Sequence, residues 1–281
     1  MVIRPSWQLS EDCIDVRITP TGNNWEQWVL LRGDAHWDNP CNNNDLEMAH
    51  LKQAKERDAL IFDVGDMVCG MQGKGDPRAN LYDLKPEHKG GNYLDLLCTT
   101  TAARYEPYKE NWVMLAQGNH ESGILKRKET DITQRVVDII NYTGGNMING
   151  QFFGAVRFIF YKRNSINMFY SHTPGVGGKA TKGTSSVPYR AGYYPDADIV
   201  WSGDIHDTWH MTHGRVKLLP NGKMKLCRQD HIITSTYKDE FTAKRAGFHH
   251  EKARGPKPLG AYWLRFYRKD KRIDYDIIQA K

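Results

Sequence analysis

Short, almost wholly apolar runs punctuate a polar chain. Trp28 to Arg32, Ala59 to Val64, Trp112 to Ala116, Ile166 to Tyr170 and Ala197 to Trp201 are each rich in β-branched or aromatic residues. That is the pattern of buried strands. Between the first two, Asp45 to Asp58 places Leu46, Ala49 and Ala54 at helical spacing, as a βαβ crossover requires. Further helices are predicted from Tyr93 to about Tyr105 and from Thr130 to Ile140, the latter preceded by charged Lys126 to Glu129 and stopped at Gly144-Gly145. Beyond it the pattern turns to β, in Gly154 to Arg163, Val216 to Leu219, Lys223 to Cys227, Ala261 to Tyr267 and Ile273 to Ile278. Pro220-Asn221-Gly222 reads as a hairpin turn, and before Trp25 the one strand expected is Cys13 to Ile18. Helices outside two mixed β-sheets are the economical solution to such an order.

No proline- or glycine-rich linker divides the 281 residues, so residues 1–281 are expected to form a single α/β domain. Residues 1–25 read as an N-terminal edge extension. Residues 70–111 read as a lid-like insertion, Gly/Asp/Pro-rich as far as Lys89. The apolar runs are too short to span a membrane and Met1 to Ser10 lacks a signal-peptide core, so a cytoplasmic protein with no membrane partner is expected. Five cysteines without Cys-x-x-Cys spacing argue against a disulfide framework or a zinc ribbon. A net charge of +6 favours anionic partners. Basic residues gather at Lys126 to Lys128, at Lys162-Arg163 and from Lys244 to Lys257, where His249, His250, Pro256 and Pro258 point to a loop able to track a phosphate backbone.

Each strand-like run in the opening set leads into residues that ligate metals: Gly33-Asp34-Ala35-His36, Gly65-Asp66, Gly118-Asn119-His120-Glu121, Ser171-His172 and Gly203-Asp204-Ile205-His206. Singly, such residues are more often turn, cap or polar loop positions. As an ordered set past strand ends they mark the crevice where α/β proteins assemble sites. His210, His213, His249, His250, His50 and His88 lie outside the pattern and read as surface or loop residues; Trp37 reads as packing beneath the site.

The ordered blocks resemble the calcineurin-like metallophosphoesterase superfamily, with its Asp-x-His, Gly-Asp, Gly-Asn-His-Asp/Glu, lone His and Gly-His-x-His motifs, from about Val29 to Asp207. The resemblance implies a four-layer αββα sandwich of two mixed β-sheets flanked by helices. It also implies a dinuclear metal-dependent phosphoesterase in which a metal-bridging hydroxide attacks phosphorus. Asp34, His36, Asp66 and His206 would hold one ion, and Asp66 would bridge to a second held by Asn119, His172 and Asp204. Two divalent ions are expected, Mn²⁺ first, with Fe, Zn²⁺ or Mg²⁺ as alternatives for such mixed donors. His120 would be the general acid. Arg78 and Asn119 are candidate substrate-binding residues. The positive charge directs the substrate toward phosphodiesters and nucleic acid; the alternatives are a phosphomonoesterase or a catalytically weak scaffold on the same fold.

Two positions depart from the family pattern. Asp204 stands where the family has a histidine, which adds negative charge and is expected to weaken the second metal site. Cys69 stands where many members place an aspartate that holds the catalytic histidine, leaving Asp63, Asp76, Glu121 or no side chain at all to orient His120. Asp38 and Asp207 are further expected to orient the histidine ligands beside them.

Overall fold

The computed structural model describes residues 4–72, 79, 84–161, 164–175, 181–242, 255–270 and 272–281. Arg78, Asp76, the Lys162-Arg163 pair and most of the Lys244 to Lys257 run, with His249 and His250, lie outside the described residues.

A seven-stranded sheet has the order β1-β2-β7-β8-β9-β11-β10. Its strands are β1 (Ser6–Ser10), β2 (Cys13–Ile18), β7 (Phe153–Phe160), β8 (Asn164–Ser171), β9 (Ile199–Ser202), β10 (Trp209–Leu218) and β11 (Met224–Ile233). A six-stranded sheet has the order β13-β12-β3-β4-β5-β6. It is formed by β3 (Glu26–Arg32), β4 (Leu60–Asp63), β5 (Trp112–Leu115), β6 (Ile148–Asn149), β12 (Tyr262–Lys269) and β13 (Arg272–Gln279). Both sheets mix parallel and antiparallel pairs: β3, β4 and β5 run parallel, as do β8, β9 and β11.

Strand periodicity builds two cores from alternating residues of the same strands. Val29 and Leu31 face the other sheet, joining Phe62, Val113, Phe158, Phe160, Trp201, Ile232 and Phe266 between the layers. Leu30, Ile61, Trp112 and Leu115 face the helices. There they meet α1 (Asn44–Glu56), α2 (Tyr93–Tyr105), α3 (Asn119–Lys128) and α4 (Ile132–Tyr142) through Leu51, Leu97, Ile124 and Val136. The outer face of the seven-stranded sheet carries the short α5 (Val187–Tyr193), anchored by Arg190 Nη2 donating to Ser202 Oγ at 2.6 Å. The fold is therefore the expected α/β sandwich of two mixed sheets flanked by helices.

The structure extends and corrects the sequence reading in several places. Helix α3 begins at Asn119, where no apolar stripe announced it. Its start is set instead by Glu121, which accepts from the Gly118 N–H at 2.7 Å. Strand β1, helix α5 and the full ten-residue lengths of β10 and β11 were likewise not announced. In the 70–111 segment, α2 buries Leu97, Cys98, Thr101 and Ala102 and packs on α4. His50 and His88 are fully buried rather than on the surface. His88 Nε2 lies 3.0 Å from Thr100 Oγ1, and His50 Nδ1 lies 2.9 Å from Tyr237 Oη.

Burial, reinforced by the nearby Arg32 charge, pushes His50 down to about 4. The unfolded chain then binds the extra proton first as pH falls below the ordinary histidine range. Stability attributable to His50 is intact above about pH 6.5 and declines toward pH 4, by up to about 3 kcal/mol. Urea unfolding of wild type and His50→Gln between pH 7 and 4 checks this. Equal pH dependence in the two would reject it.

Candidate metal centre

The five blocks meet at one end of the sandwich, where β3, β4, β5, β8 and β9 stop. Backbone bonds bind the blocks to one another. The Asp34 N–H donates to Gly65 O at 2.8 Å, His36 N–H to Asp66 O at 3.0 Å, and Gly203 N–H to His172 O at 2.9 Å. Asp34, His36, Asp66, Asp204 and His206 all adopt left-handed backbone, with φ of 51°, 45°, 55°, 69° and 52°. Non-glycine residues adopt this region at a cost, and such strain gathers at functional sites.

Glycines make the approach possible. A Cβ on Gly118 would overlap Asp66 Oδ1, and one on Gly203 would overlap Asp34 Oδ2. Neither carboxylate could occupy its place beside a larger residue.

The side chains converge. His36 Nε2 lies 3.2 Å from His206 Nε2, and His206 Nε2 lies 3.3 Å from Asp34 Oδ1. Asp66 Oδ2 is 3.3 Å from His172 Nε2, 3.7 Å from His120 Nε2 and 3.9 Å from His36 Nε2. Asn119 Nδ2 donates to Asp204 Oδ1 at 2.8 Å, and that oxygen lies 3.9 Å from His172 Nε2. Asp34, His36 and His206 form one group whose potential ligand atoms lie within 4.8 Å of one another, and Asp34, Asp66 and His172 form a second. All eight residues read from the five blocks are thus gathered, with Asp204 beside Asn119 and His172.

Electrostatics at the centre are unresolved by the protein alone. Burial, with the Asp66 and Asp204 charges, raises Asp34 well above the usual carboxylate range against the pull of His172. Burial works the same way on Asp66, but His172, His120 and His36 hold it well below that range. Burial and the neighbouring His120, His206 and Lys238 drive His36 far below its ordinary value, leaving it neutral. The ring of His172 donates through Nδ1 to Val64 O at 3.0 Å, so Nε2 faces the carboxylates. That buried Nε2 makes no well-aligned hydrogen bond. Crowded carboxylates, two imidazole nitrogens 3.2 Å apart and a neutral histidine are what a divalent cation would reconcile. The donor set therefore fits metal ions.

The surrounding shell corrects three sequence expectations. His120 is oriented by the backbone: its Nδ1 donates to Cys69 O at 2.5 Å. The residue that lacks the family's carboxylate thus holds the imidazole with its carbonyl. Its thiol lies 3.4 Å from His36 Nδ1. Asp38 contacts no histidine ligand but accepts from Cys69 N–H at 2.6 Å, Gly70 N–H at 3.2 Å and Tyr93 Oη at 3.2 Å, fixing the loop that carries that carbonyl. Asp207 pairs with Lys182 at 3.3 Å and Lys257 at 3.4 Å instead of orienting His206. Glu121 accepts from the N–H groups of Asp66, Val68 and Gly118, and burial pushes its carboxyl up to about 8.

Sequence reading also missed Lys238, buried beside Glu240 at 2.5 Å and close enough to lower His36. A lone lysine past a strand carries no signal of its own. Trp37 packs as expected, its Nε1 donating to Thr101 Oγ1 at 2.7 Å. No helix among the described residues is long and apolar enough to cross a membrane.

No protein-family profile and no curated protein matches the chain. Solved structures do. A predicted phosphoesterase from Streptococcus pneumoniae is 11% identical over 91% of this chain and 90% of its own, with a TM-score of 0.34. Vps29 from Cryptosporidium parvum is 13% identical over 92% and 100%, with a TM-score of 0.37. Vps29 from Entamoeba histolytica, solved with Zn²⁺, is 10% identical over 90% and 99%, with a TM-score of 0.34. The chain thus pairs two stacked mixed sheets and flanking helices with five ligand-bearing blocks that meet at one set of strand ends.

Proposed function

We propose that the chain is a divalent-metal-dependent phosphoesterase acting on phosphodiesters, nucleic acid among them. The observation that carries this reading is Asp66: one carboxylate oxygen faces His172, His120 and His36 at 3.3, 3.7 and 3.9 Å. Asp34, His36, Asp66 and His206 would hold one ion, and Asp66, Asn119, His172 and Asp204 the other. Mn²⁺ suits the donors best, because Asp204 adds a carboxylate. Ions bound there would supply Lewis-acid stabilisation at a phosphoryl oxygen and would make water nucleophilic at neutral pH.

The chain's own residues do the rest. His120, donating through Nδ1 to Cys69 O, presents Nε2 toward the cleft, where it can give a proton to the departing oxygen. Asn119 is aimed through its amide at Asp204, and its exposed position leaves it open to substrate. The net charge of +6 raises the local concentration of polyanionic substrates.

The test is hydrolysis of bis-p-nitrophenyl phosphate, p-nitrophenyl phosphate and a short oligonucleotide with Mn²⁺. His120→Ala is expected to lose roughly 10²–10⁴ in rate on the oligonucleotide, whose alkoxide leaves poorly, and less on the nitrophenyl esters. Preference for p-nitrophenyl phosphate would move the reading to a phosphomonoesterase. A wild type inert with Mn²⁺, Fe²⁺, Zn²⁺ and Mg²⁺, or a variant as active as wild type, would leave the scaffold reading in place.

A further inference from the structure

Strands β10 and β11 outrun the sandwich. By strand alternation, Ile232, Asp230, Arg228, Leu226 and Met224 share one face, as do their partners from His210 to Leu218. Near its base this face is covered. Ile232 lies in the core between the sheets, Asp230 accepts from Tyr275 Oη at 2.7 Å, and Arg228 pairs with Asp274 at 3.1 Å. Tyr275 and Asp274 belong to β13, the edge strand of the other sheet. Past Arg228 that cover ends.

The face stays apolar nonetheless. Val216 opposes Leu226 and Leu218 opposes Met224. These four are 65, 78, 70 and 79% exposed. A two-stranded ribbon gains little stability alone, and an exposed apolar set on a regular strand marks a contact surface.

Charge and edge select the partner. No acidic residue occurs from Thr208 to Gln229, whereas Arg215, Lys217, Lys223, Lys225 and Arg228 all do. Lys217 stands directly opposite Lys225 on the other face. Among the described residues the charges of Lys217 and Lys225 are felt by Asp198, whose carboxylate sits 3.9 Å from Arg215, and no carboxylate lies within ion-pair distance of either lysine or of Lys223. Among the described residues β10 is also the edge of its sheet, with no strand on its outer side. A second copy adding to this edge would set like charges beside one another, which is destabilising. An acidic strand would meet the opposite charge.

We propose that the β10–β11 arm docks an extended segment of a partner protein in which apolar and acidic residues alternate. The segment adds to the free edge of β10 by backbone hydrogen bonds. Its apolar side chains continue the row of Val216 and Leu218, and its carboxylates meet Lys217 and Lys225 on the other face. The docking is independent of the metal centre.

The probe is a fluorescein-labelled peptide, Ser-Val-Glu-Leu-Asp-Val-Glu-Leu-Ser, titrated with the full chain and followed by anisotropy. Its control carries lysine at each acidic position. The acidic peptide is expected to bind at least about ten-fold more tightly than the control and to slow amide exchange along β10. Leu218→Glu with Leu226→Glu is expected to lose about ten-fold or more of that affinity at an unchanged melting temperature. Lys217→Glu with Lys225→Glu should invert the preference between the two peptides. Equal binding of both peptides, or unaltered binding by either double variant, overturns the proposal. So does sedimentation showing a wild-type dimer that Leu218→Glu/Leu226→Glu dissociates, which would assign the face to a second copy. Flotation with phosphatidylserine vesicles, abolished by the same variant without any peptide binding, overturns it in favour of a lipid surface.

Discussion

Asp66→Asn is expected to bind fewer divalent ions per chain and to lose roughly 10³-fold or more of the proposed phosphodiesterase rate, while keeping its fold. If two ions bind as proposed, a carboxylate they shared would contribute several kcal/mol to charge stabilisation in the transition state, and about 1.4 kcal/mol is ten-fold in rate. The fold should survive because the Asp66 side chain's structural bond, accepted from the His120 N–H by Oδ1 at 3.0 Å, is open to an amide oxygen. Its Oδ2, facing three imidazoles, is what the amide nitrogen replaces. That nitrogen donates, so it neither ligates well nor tolerates a protonated histidine. Isothermal titration with Mn²⁺ and elemental analysis read the metal count independently of activity. An Asp66→Asn variant that binds as much Mn²⁺ as wild type, with the same affinity and rate, would remove Asp66 from the centre.

Arg32→Met is expected to cost about 3–5 kcal/mol of stability, the largest single loss anticipated outside the metal centre. Arg32, Glu47 and Asp63 are completely buried. Arg32 Nη2 donates to Glu47 Oε1 at 2.8 Å and Arg32 Nε lies 2.9 Å from Asp63 Oδ2, while Arg104 Nη2 meets Glu47 Oε2 at 2.6 Å. The rings of Tyr105, Trp112 and Tyr237 lie 5.3, 5.5 and 5.1 Å from the guanidinium carbon. Removing the cation strands Asp63 in the core and leaves Glu47 with Arg104 alone. Burial already raises Asp63 to about 6 despite Arg32 beside it. The same network sits directly beneath the chemistry. Arg32 ends β3 just before Asp34, and Asp63 Oδ1 accepts from the Gly65 N–H at 2.9 Å, next to Asp66. Urea unfolding measures the loss, and Arg32→Met with Asp63→Asn is expected to recover part of it because the stranded charge goes too. A single variant within about 1 kcal/mol of wild type would show that the ion cluster contributes nothing net.

Much of the site was legible in the sequence, and the reason is topological. A buried strand must be short and apolar, and in an α/β sheet its carboxyl end opens onto the shared crevice. Residues just past several such ends are therefore neighbours before any coordinates exist. This holds for Asp34, His36, Asp66, Asn119, His120, His172, Asp204 and His206. The shell behind them was not legible. His120 is held by a carbonyl, and a carbonyl belongs to every residue, so no side chain could announce it. Asp38 and Glu121 act on backbone N–H groups of other loops, whose positions depend on how the loops pack. His50 and His88 were misread as surface residues because a polar side chain in a polar stretch gives no sign that Tyr237 or Thr100 waits to receive it.

The β10–β11 arm sharpens the same division. Alternation and the Pro220-Asn221-Gly222 turn announced a hairpin, but its ten-residue strands and uncovered apolar face depend on where β13 ends in the opposite sheet. Local pattern determines which residues form strands and which lie at their ends, because period and burial are written in the chain itself. The sequence by itself therefore determined the sandwich and the eight-residue constellation at its rim. Only the tertiary structure decided that Cys69 O orients His120, that Arg32 is buried among carboxylates, and that β10 remains a free edge. Those three facts depend on contacts between segments far apart in the chain, and no local pattern encodes such distances.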